Sequence, residues 1–184
     1  PVLYLCGNHD AGNRPTPAAL AIYRKEFGDD WFTFWSGGVC CLALNTNLYW
    51  DPSGAPDEQA RQEAWLARGL DAAQEAGARQ IFLFQHHPWF LTQPDEPDGY
   101  FAIPRARREP ALALLRRAGV RAVFAGHYHR NAHGWDGDLE MITSSAVGMP
   151  LGNDPSGFRI VKVYEHRIEH AYYGLDEVPG VVSL

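Results

Sequence analysis

Three groups of polar side chains able to bind a metal each follow a short apolar run in this sequence. The groups are Asn8-His9-Asp10, His86-His87 and His127-Tyr128-His129. Because sites in open α/β sheets assemble at the carboxyl ends of strands, we expect the three groups to converge. An unpaired buried polar group costs roughly 1–3 kcal/mol, so a shared metal ion is the simplest explanation. Imidazole nitrogen with amide and carboxylate oxygen favours Zn, Fe or Mn over Ca or Mg.

Each group taken by itself also has a simpler interpretation. Asn8-His9-Asp10 follows Gly7 and fits an ordinary turn, because Gly and Asn tolerate positive φ and Asp caps nearby backbone. His86-His87 fits a loop without a special role. His127 and His129 lie at i and i+2, so they point the same way if the segment is extended. The interpretation as a metal centre therefore rests on all three groups together.

Alternating strands and helices must position these groups. Strands are predicted at Val2–Leu5, Trp31–Trp35, Val39–Leu44, Gln80–Phe84, Val120–Phe124, Leu139–Ser144, Phe158–Tyr164 and Arg167–Tyr173. Helices are predicted at Thr16–Phe27, Asp57–Gly77 and Pro110–Ala118, with a loop over Thr92–Pro104. The pattern contains no repeat and no linker, and it indicates one mixed α/β domain.

Composition excludes some partners. The 184 residues carry a formal net charge of −6, which argues against a general nucleic-acid or anionic-membrane binder. No apolar run approaches the length of a membrane span. Two of the three cysteines, Cys40 and Cys41, are neighbours that point to opposite faces of a strand, so they cannot easily pair. We expect free thiols in a reducing compartment and assign the protein to the cytoplasm.

The ordered motifs GNHD, QHHP and GHYH, which span Gly7 to His129, resemble the later motifs of the calcineurin-like metallophosphoesterases. The stretches GNHDAGNRPT, GDDWFTFW and DLEMITSSAVGMPLGNDPSGFRIV are further similar to the calcineurin-like phosphoesterase domain-containing proteins described as serine/threonine phosphatases. The resemblance implies the C-terminal portion of a four-layer α/β/β/α sandwich with mixed sheets. It also implies two divalent or trivalent ions (Mn, Fe or Zn) whose bridging hydroxide hydrolyses phosphate monoesters, with phosphoproteins as one substrate class.

The same resemblance assigns the motif residues one at a time. Asn8, His86 and His127 are implied as ligands of the second metal ion, and His129 as a ligand of the first. His9 is implied to face the substrate phosphate and to assist the departing alkoxide.

Two motif neighbours of these residues receive supporting roles. Asp10 is expected to orient the imidazole of His9 and to favour its protonated form. His87 occupies the variable position of its motif, so we expect it to line the pocket without binding metal.

Two earlier motifs of the family, Asp-x-His and Gly-Asp-x-x-Asp, do not occur before Gly7. We therefore expect residues 1–184 to form a single domain that is incomplete at its N-terminus, with Pro1 not a natural start. This polypeptide alone is expected to fold poorly and to be inactive, whereas the intact parent hydrolyses phosphate esters. The alternatives are a phosphodiesterase acting on nucleotides or lipids, and a catalytically degenerate protein-binding scaffold. The oligomeric state is left open.

Overall fold

A six-stranded mixed sheet forms the centre of the fold in the computed structural model, which describes residues 2–183. Its strands are β1 (Phe32–Ser36), β2 (Val39–Leu44), β3 (Gln80–Gln85), β4 (Ala122–Ala125), β5 (Ala132–Asp136) and β6 (Leu139–Thr143). The spatial order is β1-β2-β3-β4-β6-β5. The inner strands β2, β3, β4 and β6 run parallel, and both edge strands run antiparallel to their neighbours.

Helices cover one face of this sheet, and a small hairpin sheet covers the other. The helices are α1 (Asn8–Ala11), α2 (Pro17–Phe27), α3 (Asn47–Trp50), α4 (Pro56–Glu75) and α5 (Arg105–Arg117). Of these, α3, α4 and α5 pack on the sheet, whereas α1 and α2 pack in a separate cluster beside it. The hairpin pairs β7 (Gly157–Val163) with β8 (Ile168–Gly174). Residues 2–183 therefore form a layer of helices, a large mixed sheet and a two-stranded sheet.

Strand alternation separates the two sides of the core. Cys40 and Leu42 of β2 pack in a cluster with Leu66 of α4, on the helical side. Val39 and Cys41 of the same strand lie in a different cluster, against which Ile168 of β8 packs. Because successive strand residues point to opposite faces, a fully apolar strand can serve both layers.

Most predicted elements are confirmed. Thr16 caps α2, accepting a hydrogen bond from the backbone N–H of Ala19 at 3.2 Å, and the helix ends before Gly28, whose φ is 89°. The hairpin of β1 and β2 forms as predicted. All three cysteines are free and buried. No helix within the described residues is both long and apolar enough to span a membrane.

The predicted strand Val2–Leu5 is wrong. These residues hydrogen-bond to no strand among residues 2–183, and Val2 and Tyr4 are 76% and 55% exposed. Apolar composition alone does not make a strand, because the backbone also needs a hydrogen-bonded neighbour.

Two other boundaries differ from the prediction. Helix α5 begins at Arg105 rather than at Pro110, and an ion pair between Arg105 and Glu109, at i and i+4, supports the added turn. The strand β5 was not predicted, because AHGWD has no strong alternation and is a strand through its pairing with β6.

Candidate metal centre

The parallel strands β3 and β4 bring two histidines together. They are neighbours in the sheet, and His86 and His127 follow their carboxyl ends. The backbone N–H of Gly126 donates to the carbonyl of His86 at 3.0 Å, which fixes the two strand ends side by side. Nδ1 of His127 consequently lies 3.2 Å from Nε2 of His86.

Asn8 completes a set of three donor atoms. Its Oδ1 lies 2.8 Å from Nε2 of His86. Its Nδ2 donates to Oδ1 of Asn13 at 3.0 Å, which orients the amide so that the oxygen faces the histidine. Asn8, His86 and His127 are candidate metal ligands, and we call this group the metal site. Three segments far apart in sequence thus place an amide oxygen and a second imidazole nitrogen within hydrogen-bonding distance of Nε2 of His86.

Gly7 holds the turn that carries Asn8 close to His86. The side-chain amide of Asn47 donates to the Gly7 carbonyl at 3.1 Å. A Cβ at position 7 would lie 3.1 Å from two atoms of the His86 ring, a spacing tighter than most real Cβ contacts. Glycine at this position therefore allows the turn to approach the ring.

Asp10 does not orient His9, contrary to the expectation from the sequence. Its Oδ2 accepts a hydrogen bond from the backbone N–H of Gly7 at 2.8 Å. A carboxylate at the third position of a helical turn commonly reaches back to cap the first free N–H, and this geometry explains the difference. His9 is exposed and forms no hydrogen bond within residues 2–183.

The outer hydrogen bonds of two histidines fix which ring nitrogen is free. Nε2 of His127 lies 3.4 Å from the Tyr100 carbonyl, and Nδ1 of His129 lies 2.6 Å from the Met149 carbonyl. A ring nitrogen facing a carbonyl must carry the proton, so the opposite nitrogen of each ring has a free lone pair. Metal-binding histidines typically show this arrangement.

Strain accompanies the loop after β4. His127 and His129 have φ values of 63° and 54°, a left-handed conformation that residues with a side chain rarely adopt. The backbone N–H of Leu151 and the hydroxyl of Ser145 both donate to the carbonyl of His129, at 2.7 and 2.9 Å. Strained backbone held in place by surrounding contacts is common at functional sites.

Burial keeps the histidines of the site neutral. The pKa of His86 is lowered to about 3. Burial is the largest cause, and the neighbouring imidazoles of His127, His129 and His9 also lower it. Burial likewise lowers the pKa values of His87 and His127. Neutral imidazole is the form that binds metal ions.

Sequence reasoning missed the position of His87 and the loop after β2. One ring nitrogen of His87 lies within 4.8 Å of those of His86 and His127, and we call these three residues the imidazole cluster. Thr46 is completely buried, and its hydroxyl forms a hydrogen bond with Nδ1 of the His87 ring. The missed signal was available: Asn45-Thr46-Asn47 also follows a strand, β2, at the same edge of the sheet.

The donor set fits a transition-metal or zinc ion. Two neutral imidazoles and an amide oxygen suit Zn, Fe or Mn. Within the described residues, no carboxylate joins the imidazole cluster, and His129 lies outside the group of three. The residues present thus fit one ion, and His129 has a free Nε2 outside this group.

A second group of potential ligands has a different explanation. His133 and His170 each place Nε2 near Oε1 of Glu140, at 2.7 and 2.9 Å. However, Arg159 donates to Nδ1 of His170 at 2.8 Å, so Nε2 of that ring carries the proton and donates to Glu140. This group is a satisfied hydrogen-bond network that joins the two sheets.

Comparison with known proteins adds to this geometry. A family model described as calcineurin-like phosphoesterase matches residues 1–131. Serine/threonine-protein phosphatase CPPED1 of Danio rerio is 47% identical over 178 residues, which are 97% of this chain and 58% of the relative. The human CPPED1 protein is 42% identical over 179 residues, 97% of this chain and 57% of the relative. The chain thus spans somewhat less than three fifths of these relatives.

A solved structure supports the fold alone. Purple acid phosphatase PPD1 from yellow lupin seeds matches with a TM-score of 0.53 and 14% sequence identity, covering 84% of this chain and 36% of that one. The mixed α/β architecture predicted from the sequence is confirmed.

Proposed function

Since the chain belongs to the calcineurin-like phosphoesterase family, we propose that it forms the greater part of a metal-dependent phosphoester hydrolase. The observation that carries the proposal is the convergence of Asn8 Oδ1, His86 Nε2 and His127 Nδ1, at 2.8 and 3.2 Å. A scaffold without catalysis has no physical need to keep three donor atoms from distant segments in such proximity.

Asn8, His86 and His127 hold the ion in this proposal, and His129 reaches a second ion through its free Nε2. A bound divalent cation at such a site activates water and offsets the charge that develops on phosphate oxygens. The carbonyls of Tyr100 and Met149 keep His127 and His129 in the tautomers that expose the ligand nitrogens. Burial lowers the pKa values of His86 and His127, so these two rings bind the ion without first having to lose a proton.

His9 is the proposed proton donor to the departing alkoxide. Its side chain is exposed and has no partner within residues 2–183, so it is free to meet a substrate. Asp10 supports this role only indirectly, since its carboxylate holds the turn at Gly7. This turn fixes the position of His9 relative to the metal site.

The remaining ligands of the second ion are proposed to come from Asp-x-His and Gly-Asp-x-x-Asp motifs, which these 184 residues do not contain. Residues 1–184 then form one N-terminally incomplete domain that binds a single ion and turns over little substrate by itself. Phosphoproteins are the proposed substrates, because the similar relatives are named serine/threonine-protein phosphatases. The buried free thiols fit the reducing cytoplasm.

The test distinguishes a residue that binds the ion from a residue that donates a proton to the leaving group. Turnover is measured with p-nitrophenyl phosphate, its bis-ester and a phosphoserine peptide, on a longer protein carrying these residues together with both motifs. His127→Ala should abolish turnover and reduce ion content. His9→Ala should slow turnover by about 10²–10⁴ with ion content unchanged.

His166 supplies the control, because its side chain is 88% exposed and lies on the far hairpin turn. His166→Ala should match the unmodified protein in both measurements. Equal ion loss in His9→Ala and His127→Ala would show that His9 is a ligand. Full activity of His127→Ala would refute the proposed function.

A further inference from the structure

We propose that His87 is an additional ligand of the ion at the metal site, binding through Nε2. The inference rests on the proposed function, because it names a further ligand of the same ion. It replaces the expectation from the sequence that His87 only lines the pocket.

The unpaired nitrogen of His87 is the first observation. The residue has 0% exposure, and its Nε2 is a buried polar atom without a hydrogen-bond partner in residues 2–183. Leaving such an atom unpaired costs roughly 1–3 kcal/mol. A buried imidazole that only filled space could be replaced by an apolar ring without this penalty, so the free nitrogen calls for a partner.

The second observation is the anchoring of the opposite nitrogen. Oγ1 of Thr46 accepts the backbone N–H of His87 at 2.8 Å and lies 3.3 Å from its Nδ1. Donation from Nδ1 to this hydroxyl leaves the lone pair on Nε2. Histidine ligands are commonly oriented in this way, by a hydrogen bond from the ring nitrogen that does not bind metal.

The third observation is the placement of the ring. Its plane stacks on Trp50 at 8°, with ring centroids 5.4 Å apart, and its centroid lies 4.2 Å from that of His127. A ring nitrogen of His87 lies within 4.8 Å of those of His86 and His127. The imidazole is therefore held beside the other donors by contacts that do not use Nε2.

The alternative is a purely packing role, and the two differ in one atom. Phenylalanine keeps an aromatic ring against Trp50 but removes the nitrogen. His87→Phe thus distinguishes a ligand from a wall of the pocket.

Cobalt(II) is a suitable probe, because its visible absorption reports the number and geometry of its ligands. The 184-residue chain is titrated with Co²⁺ and binding is followed by calorimetry and by the visible spectrum. His87→Phe should weaken Co²⁺ binding by at least about tenfold and change the visible spectrum, while the metal-free protein keeps its circular dichroism. His166→Phe, on the exposed hairpin turn, should leave affinity and spectrum unchanged.

A second variant covers the case in which His87→Phe does not fold. Thr46→Val retains the histidine and removes only the hydroxyl, so it should weaken Co²⁺ binding about 10–100-fold with a smaller spectral change. If His87→Phe folds and its affinity and spectrum are unchanged, the inference is overturned. If His87→Phe does not fold, an unchanged affinity and spectrum in Thr46→Val overturn it.

His127→Ala separates this failure from failure of the metal site itself. Loss of Co²⁺ binding in His127→Ala with normal binding in His87→Phe overturns only the inference about His87. Normal binding in His127→Ala overturns the proposed metal site, and with it the inference.

Discussion

Replacing Gln62 with leucine tests how helix α4 supports the loop behind the metal site. Gln62 is fully buried, and its amide pairs with the backbone of Asn45 directly after β2. Its Oε1 accepts the Asn45 N–H at 2.8 Å, and its Nε2 donates to the Asn45 carbonyl at 3.1 Å. The next residue, Thr46, contacts His87. The pair therefore connects α4 to the residues that position the imidazole cluster.

The size of the effect follows from which backbone group of Asn45 is left without a hydrogen-bond partner. Leucine is similar in volume to glutamine but offers neither donor nor acceptor, so the buried N–H of Asn45 becomes unpaired, whereas its carbonyl keeps the hydrogen bond from the backbone N–H of Leu48 at 3.3 Å. One such group costs about 1–3 kcal/mol, so Gln62→Leu should lower the free energy of unfolding by about 1–3 kcal/mol.

Urea denaturation of the metal-free chain measures this change directly. Gln59→Leu is the matched control, because it lies on the same helix and its amide bonds only to the exposed side chain of Glu63. That control should stay within about 0.5 kcal/mol of the unmodified protein. A loss below about 1 kcal/mol for Gln62→Leu, with an unchanged dependence on urea concentration, would refute the reasoning.

Three further predictions follow from the same structure. Gly7→Ala should weaken ion binding roughly tenfold in calorimetry, because the new Cβ meets the His86 ring, whereas Gly99→Ala adds a methyl group in open space and should not. Burial lowers the pKa values of the imidazole cluster in the folded state, so the unfolded metal-free chain binds protons at a higher pH than the folded chain does. Its free energy of unfolding should fall as the pH drops from about 6.5 towards the pKa of about 3 in the folded state, and stability that stays constant over this range would contradict the assignment. Arg159 joins β7 to the loop after β4 and to the end of β6, so Arg159→Met should lower the free energy of unfolding by about 1–3 kcal/mol. Arg167→Met, on the same hairpin but exposed, should change it by less than about 0.5 kcal/mol, and equal losses in the two variants would contradict this role.

The convergence of the metal site was predictable because it depends on topology. In two places an apolar run is followed within two residues by a histidine, at His86 and at His127. Parallel neighbouring strands must end at the same edge of the sheet. Short-range signals also succeeded where one residue decides the geometry, as Thr16 does at the start of α2. These features need only local chemistry and strand order.

Other features depend on contacts that no local pattern specifies. Val2–Leu5 has the composition of a strand, but it forms none because no described strand hydrogen-bonds to it. The Asp10 carboxylate has two possible partners within three residues, the His9 imidazole and the Gly7 N–H. Only the geometry of the turn shows that it accepts a hydrogen bond from Gly7. The position of His87 beside His127 depends on Trp50 and Thr46, which come from another strand end.

Anomalous X-ray scattering from crystals of the zinc-loaded protein tests the central claim most directly. We predict a zinc peak at about 2.0–2.2 Å from Asn8 Oδ1, His86 Nε2 and His127 Nδ1 together. A zinc peak bound elsewhere, with Asn8 Oδ1 and His127 Nδ1 still in contact with Nε2 of His86, would contradict this prediction.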